Sequence, residues 1–117
     1  MNRRKVGKEY EMAAKELLKE RGYIILAENY RCPAGEIDLI AADGSVLVFA
    51  EVKYRSGTRQ GLPEEAVGKE KQRRISRAAR WYMMQEKISL ETACRFDVIS
   101  ILGNKIRIYK NAFDFQG

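Results

Sequence analysis

The sequence contains no histidine. That absence removes Ser-His-Asp hydrolysis, histidine-dependent nucleases and histidine-ligated zinc in one step. Cysteine is scarce: Cys32 and Cys94 stand in separate segments without a metal-type spacing. They read as reduced thiols of a cytoplasmic protein. No apolar run approaches the roughly 20 residues that span a bilayer. The basic start, Met1 to Lys5, leads into an amphipathic pattern with no signal-peptide apolar region behind it. Internal repeats, low-complexity tracts and linkers are also missing. Any catalysis must use carboxylates, lysine or a metal held by oxygen.

The 117 residues suit one domain, residues 1–117, with a core that needs no staples. The formal net charge of +6 is concentrated. Residues 53–80 carry nine Lys and Arg against Glu64, Glu65 and Glu70, an excess of +6, and the remainder balances at 13 against 13. A localised basic region points to a polyanion or to a solvated basic helix.

Helical spacing of Val6, Tyr10, Ala13, Ala14, Leu17 and Leu18 predicts a helix over 4–21, stopped at Gly22. A strand is expected over 23–28, a turn over "NYRCPAG", and strands over 36–42 and 45–53 joined at Asp43-Gly44. A loop over 55–63, a helix over 64–86 and strands over 94–102 and 105–110, turning at Gly103-Asn104, complete the chain. The order α-β-β-β-α-β-β argues for an α/β fold, a mixed sheet flanked by helices.

The most apolar stretch, "GEIDLIAADGSVLVFAEVK", contains Glu36, Asp38, Glu51 and Lys53. Burying such charges is unfavourable unless they are paired or bind a metal. With Asp43-Gly44 as a two-residue loop, facing residue numbers sum to 87. Alternation then places these four side chains on one face, with Ile37, Leu39, Ala41, Val46, Val48, Ala50 and Val52 on the other. Three carboxylates with one lysine leave room for a divalent cation, and oxygen ligands favour Mg²⁺ or Mn²⁺. A surface salt-bridge cluster is the competing reading.

Asp38 followed by Glu51-Val52-Lys53 resembles the PD-(D/E)XK nuclease motif. The blocks "GKEYEMAAKELLKERGY", "NYRCPAGEIDLIA", "LVFAEVKYRS", "PEEAVGKEKQRRI" and "CRFDVI" are similar to the YraN-type protein family. That family is regarded as endonuclease-like and related to Holliday junction resolvases. The resemblance runs nearly end to end and implies a restriction-endonuclease-like sheet. Tyr10-Glu11 stands where the family pattern has Gly-Glu, so the glycine is lost and Glu11 matches the acid of the first helix.

The resemblance implies a Mg²⁺- or Mn²⁺-dependent endonuclease acting on DNA, with branched DNA a candidate substrate and a homodimer a candidate assembly. Asp38 and Glu51 would hold the metal, with the Val52 carbonyl a third ligand. Lys53 would orient the attacking water, and Glu36 and Glu11 would bind a second ion or its waters. Gln72 on the second helix would support the site. From the residues themselves, Asp97 is expected to pair with Arg95 or to cap an edge, Cys94 to pack, and Trp81 to lie at the core edge.

On the second helix, Lys69, Arg73, Arg77 and Arg80 fall within an arc of about 80°, with Ile75, Ala78, Ala79 and Tyr82 opposite. With Arg55 and Arg59 in the glycine-bearing loop, they form the expected nucleic-acid surface. The aromatic residues show no spacing that suggests a base-stacking platform. Two further readings stay open: a nucleic-acid-binding module that keeps the nuclease fold without turnover, and a protein-interaction domain docking through its basic helix.

Overall fold

The computed structural model describes residues 3–55 and 67–116, with side chains over 7–54 and 67–116. The elements are α1 (Arg3–Glu20), β1 (Ile24–Cys32), β2 (Gly35–Asp43), β3 (Val46–Arg55), α2 (Lys69–Gln85), β4 (Cys94–Leu102) and β5 (Lys105–Phe113). They follow the expected order. All five strands form one sheet in chain order. Neighbours are antiparallel except β3 and β4, which run parallel. A parallel pair needs a crossover, and α2 lies in that connection.

The two helices cover opposite faces. On one, Ala14 and Leu18 of α1 bury Leu39, Ala41, Val48, Ala50 and Ile99. On the other, Ile75, Ala78, Ala79, Tyr82 and Met83 of α2 pack on Ile40, Leu47, Phe49, Phe96 and Val98. Each helix presents apolar residues at three- and four-residue spacing, while the central strands are apolar on both faces because both are covered. No described helix is long and apolar enough to cross a membrane.

Three local features differ from the sequence reading. The segment "NYRCPAG" is mostly strand: β1 runs to Cys32, which pairs with Gly35, so only Pro33-Ala34 turn the chain. Asn29, at φ 49°, takes up its tendency to left-handed backbone inside β1 rather than reversing the chain. The β2–β3 loop is Gly44-Ser45, because Asp43 pairs with Val46. Gly44, at φ 60°, takes the first loop position, as a type II′ turn requires, and facing numbers sum to 89 instead of 87. Finally, α2 starts at Lys69, after Gly68 in extended conformation. Residues 64–66, and most of the expected 55–63 loop, lie outside the described residues.

Candidate active site

The site forms where the β2–β3 ladder stops. Paired positions run from Asp43 and Val46 to Leu39 and Ala50. By the same count Asp38 comes opposite Glu51, a direct neighbour rather than a diagonal one. In place of another backbone bond, the Val52 N–H donates to Asp38 Oδ2 at 2.8 Å. β2 also changes face here: Ile37 packs on the α2 side, although Leu39, two residues later, packs on the α1 side. The strict alternation that placed Ile37 with Leu39 is therefore broken. Asn29 lies directly across the break, between the Glu28–Leu39 and Tyr30–Ile37 pairs.

Beyond the break, Phe49 is core on the α2 side, so alternation along β3 carries Glu51 and Lys53 to the same side. Glu51 is only 7% exposed. Lys71, in the first turn of α2, reaches down so that its Nζ lies 2.5 Å from Glu51 Oε1. Burial, then the nearby Asp38 charge, push the Glu51 carboxyl up to about 6 despite that partner. Burial also raises the Asp38 pKa, against the Val52 N–H and Lys71, which favour its charged form. Lys53 is lowered by burial and by the adjacent Lys71. Burial is the largest single influence on Lys71 and opposes its charge, but the bond to Glu51 and the Glu51 charge, with Lys53 and Asp38, together outweigh it and raise its pKa. Two carboxylates and two ammonium groups thus share a half-open end of the sheet, and the acids hold protons more tightly than they would in water.

Glu36 stands apart from this group. Its side chain is largely exposed and pairs with Arg31 at 3.4 Å. Glu11 is half-buried on α1, whose neighbours Ala14 and Leu18 pack on the opposite face of the sheet. Among the described residues, no three Asp, Glu or Cys side chains converge as a metal-binding set. The expected convergence of three carboxylates reduces to two. Gln72 is buried, but its Nε2 donates to the Val67 carbonyl at 2.7 Å, which pins the chain entering α2 beside Lys71.

Lys69, Arg73, Arg77 and Arg80 form an exposed row on the outer side of α2, opposite the buried Ile75, Ala78, Ala79 and Tyr82. At 1.5 Å per residue the row extends about 16 Å from a start beside Lys71. Arg80 also lies 4.8 Å from the centre of the Phe115 ring. Arg55 ends β3 with its side chain outside the described part, and Arg59 lies outside it altogether. Trp81 is exposed rather than at the core edge.

Asp97 pairs with Arg95, as the sequence suggested, through contacts of 2.9 and 3.1 Å. Cys94 packs against Met83, and both thiols are free. Sequence reasoning missed Lys71. Its signal was positional: residues 71, 75, 78 and 82 follow helical spacing, so a lysine began the buried stripe. It also missed an aromatic pair, Tyr10 on α1 and Tyr54 on β3, which are 44 positions apart but stacked with ring centres 4.1 Å apart.

Residues 10–101 match the sequence profile of a family described as "Uncharacterised protein family UPF0102". The chain belongs to the UPF0102 family. A UPF0102 protein from Lachnoclostridium phytofermentans is 48% identical over 117 residues, covering 100% of this chain and 99% of the relative. Another from Symbiobacterium thermophilum is 48% identical over 115 residues, covering 94% and 97% respectively. One from Caldicellulosiruptor saccharolyticus is 40% identical over 119 residues, covering 97% and 100%. UPF0102 is the YraN-type family whose sequence blocks were identified above.

Proposed function

We propose that this UPF0102 protein is a metal-dependent, structure-selective endonuclease that hydrolyses phosphodiesters in DNA, with branched structures a candidate substrate. One observation carries the reading: Asp38 and Glu51 meet at a break in the sheet, and their charged forms are disfavoured where Lys53 opens to solvent. Such an arrangement gains stability from an added cation. The donors are all oxygen, which fits Mg²⁺ or Mn²⁺.

Asp38 and Glu51 would hold the ion, with the Val52 carbonyl completing the protein's donors. When bound, a divalent ion lowers the pKa of a water and offsets charge at the phosphoryl group. Lys53 is placed to orient that water or bind a phosphate oxygen. Lys71 keeps Glu51 ionised and turned toward Asp38. The exposed row on α2 would hold the nucleic-acid backbone through phosphate contacts, which position the duplex without reading its sequence.

A second reading rests on Lys71 itself. Its ammonium already contacts Glu51, so the cluster is partly neutralised without metal, as suits a binding module without turnover. Incubation with labelled duplex, single-stranded, flap and four-way-junction DNA separates the two. Nicking with Mn²⁺ or Mg²⁺, abolished by EDTA and by Lys53→Ala without loss of thermal stability, supports the nuclease. Salt-sensitive binding without cleavage selects the module. Neither binding nor cleavage leaves an acidic protein partner for the basic helix.

A further inference from the structure

We infer that Tyr10 and Tyr54 form a stacking platform for one unpaired nucleobase beside the Asp38–Glu51–Lys53 site. The inference rests on the nucleic-acid reading above and specifies the substrate feature it selects. Tyr54 follows Lys53 directly in β3, so the ring emerges on the α1 side of the same strand end. There it meets Tyr10, with ring centres 4.1 Å apart and planes only 13° apart. This is a parallel stack rather than the edge-on contact made by Tyr30 and Tyr82 in the core.

One face of the Tyr54 ring is covered by Tyr10, yet the residue remains 46% exposed. Other described aromatic rings are occupied or distant. Phe49, Phe96 and Phe113 are buried, Tyr109 packs against the α2-side core, Tyr23 bonds Arg95, and Phe115 lies against Arg80. Trp81 is exposed but ten residues along α2 from Lys71, about 15 Å away by helical rise. Tyr54 is thus a half-exposed ring, backed by Tyr10, one residue from the lysine placed at the phosphate.

A flat aromatic surface beside a cation placed at a phosphate holds nucleic acid by stacking any base, whatever its identity. A duplex offers no free base face along its length, because its bases already stack on one another. A flap, a branch point or a single strand does. The platform therefore favours substrates with an unpaired nucleotide next to the phosphate under attack, and Tyr10 stiffens it by backing the ring.

The test is fluorescence anisotropy in EDTA, so that turnover plays no part, with a labelled oligothymidylate and a labelled blunt duplex. Tyr54→Ala should weaken single-strand binding roughly tenfold and duplex binding less than about twofold. Tyr54→Trp should bind the single strand at least as tightly as wild type, which keeps the inference testable if the alanine variant folds poorly. A strand with 2-aminopurine should be quenched by wild type and much less by Tyr54→Ala. Unchanged single-strand affinity, or equal losses on both probes, would overturn the platform while leaving any metal-dependent nicking intact. Absence of nicking by wild type, with the selective loss preserved, would overturn the enzyme reading and leave the platform standing.

Discussion

Two charged clusters sit in one small sheet, and they are solved in opposite ways. At the end near the Gly44 turn, the Arg95 guanidinium clamps Asp97 through Nε at 2.9 Å and Nη2 at 3.1 Å, and reaches Asp43 at 3.0 Å. Its Nη2 also donates to the Tyr23 hydroxyl. Asp97, 1% exposed, further accepts the N–H of Asn111, which lies at φ 54° beside a register shift between β4 and β5. Burial works against the Arg95 charge, but its carboxylate partners outweigh burial and raise its pKa. A planar, forked donor with fixed partners makes a tie.

At the other end, two ammonium groups face two carboxylates. Ammonium is a point charge without a directional fork, and the side chain of Lys71 is 42% exposed. Glu51 stays at about 6 even with Lys71 against it, and the ladder between β2 and β3 gives up a backbone bond to the Asp38 side chain. The first cluster holds strands together. The second leaves charge unresolved where the sheet opens, and the proposed cation site rests on that feature.

The largest contrast lies in what each cluster contributes to stability. Arg95→Ala strands a buried carboxylate and should lower unfolding free energy by about 3–5 kcal/mol, measured by urea denaturation at pH 7. A loss under about 1 kcal/mol would remove the distinction between the clusters.

Glu51 should show the opposite sign. Its folded pKa is raised from 4.5 to about 6, so the folded state binds its proton more tightly than the unfolded state. The resulting penalty is full above about pH 6, shrinks as pH falls, and vanishes below about 4.5. It amounts to about 2 kcal/mol. In EDTA, Glu51→Gln should abolish that component of the stability profile, gaining over wild type at pH 7.5 and losing the gain near pH 4.5. A constant difference across the range would contradict it.

The smallest effect on folding belongs to the outer row of α2. Arg73→Ala with Arg77→Ala touches neither cluster and should change stability by less than about 0.5 kcal/mol. DNA affinity should fall similarly on unrelated sequences, and the slope of log K against log salt should flatten by about two. An unchanged slope would separate this row from nucleic acid.

Much of this arrangement was legible in the sequence, for physical reasons. Element order followed from apolar periodicity and from two glycine turns, and pairing with Arg95 was one of two roles expected for Asp97 in "CRFDVI". The shared side of Asp38, Glu51 and Lys53 survived a register error, because sums of 87 and 89 are both odd and preserve facing parity. The bend at Asp38 was hidden, since no periodicity announces a strand that changes face between Ile37 and Leu39. Glu36 left the site through the same bend. Lys71 and the Tyr10–Tyr54 stack depend on tertiary approach of segments far apart in the chain, which local pattern does not encode.

The central claim is that Asp38 and Glu51 are poised for a divalent cation, and calorimetric titration with Mn²⁺ tests it most directly. Wild type should bind Mn²⁺ at a site that disappears or weakens at least tenfold in Asp38→Asn, a variant that keeps an oxygen to accept the Val52 N–H and remains folded. Equal binding by the two proteins, or no binding by wild type, would contradict the account and make the cluster a salt bridge centred on Lys71.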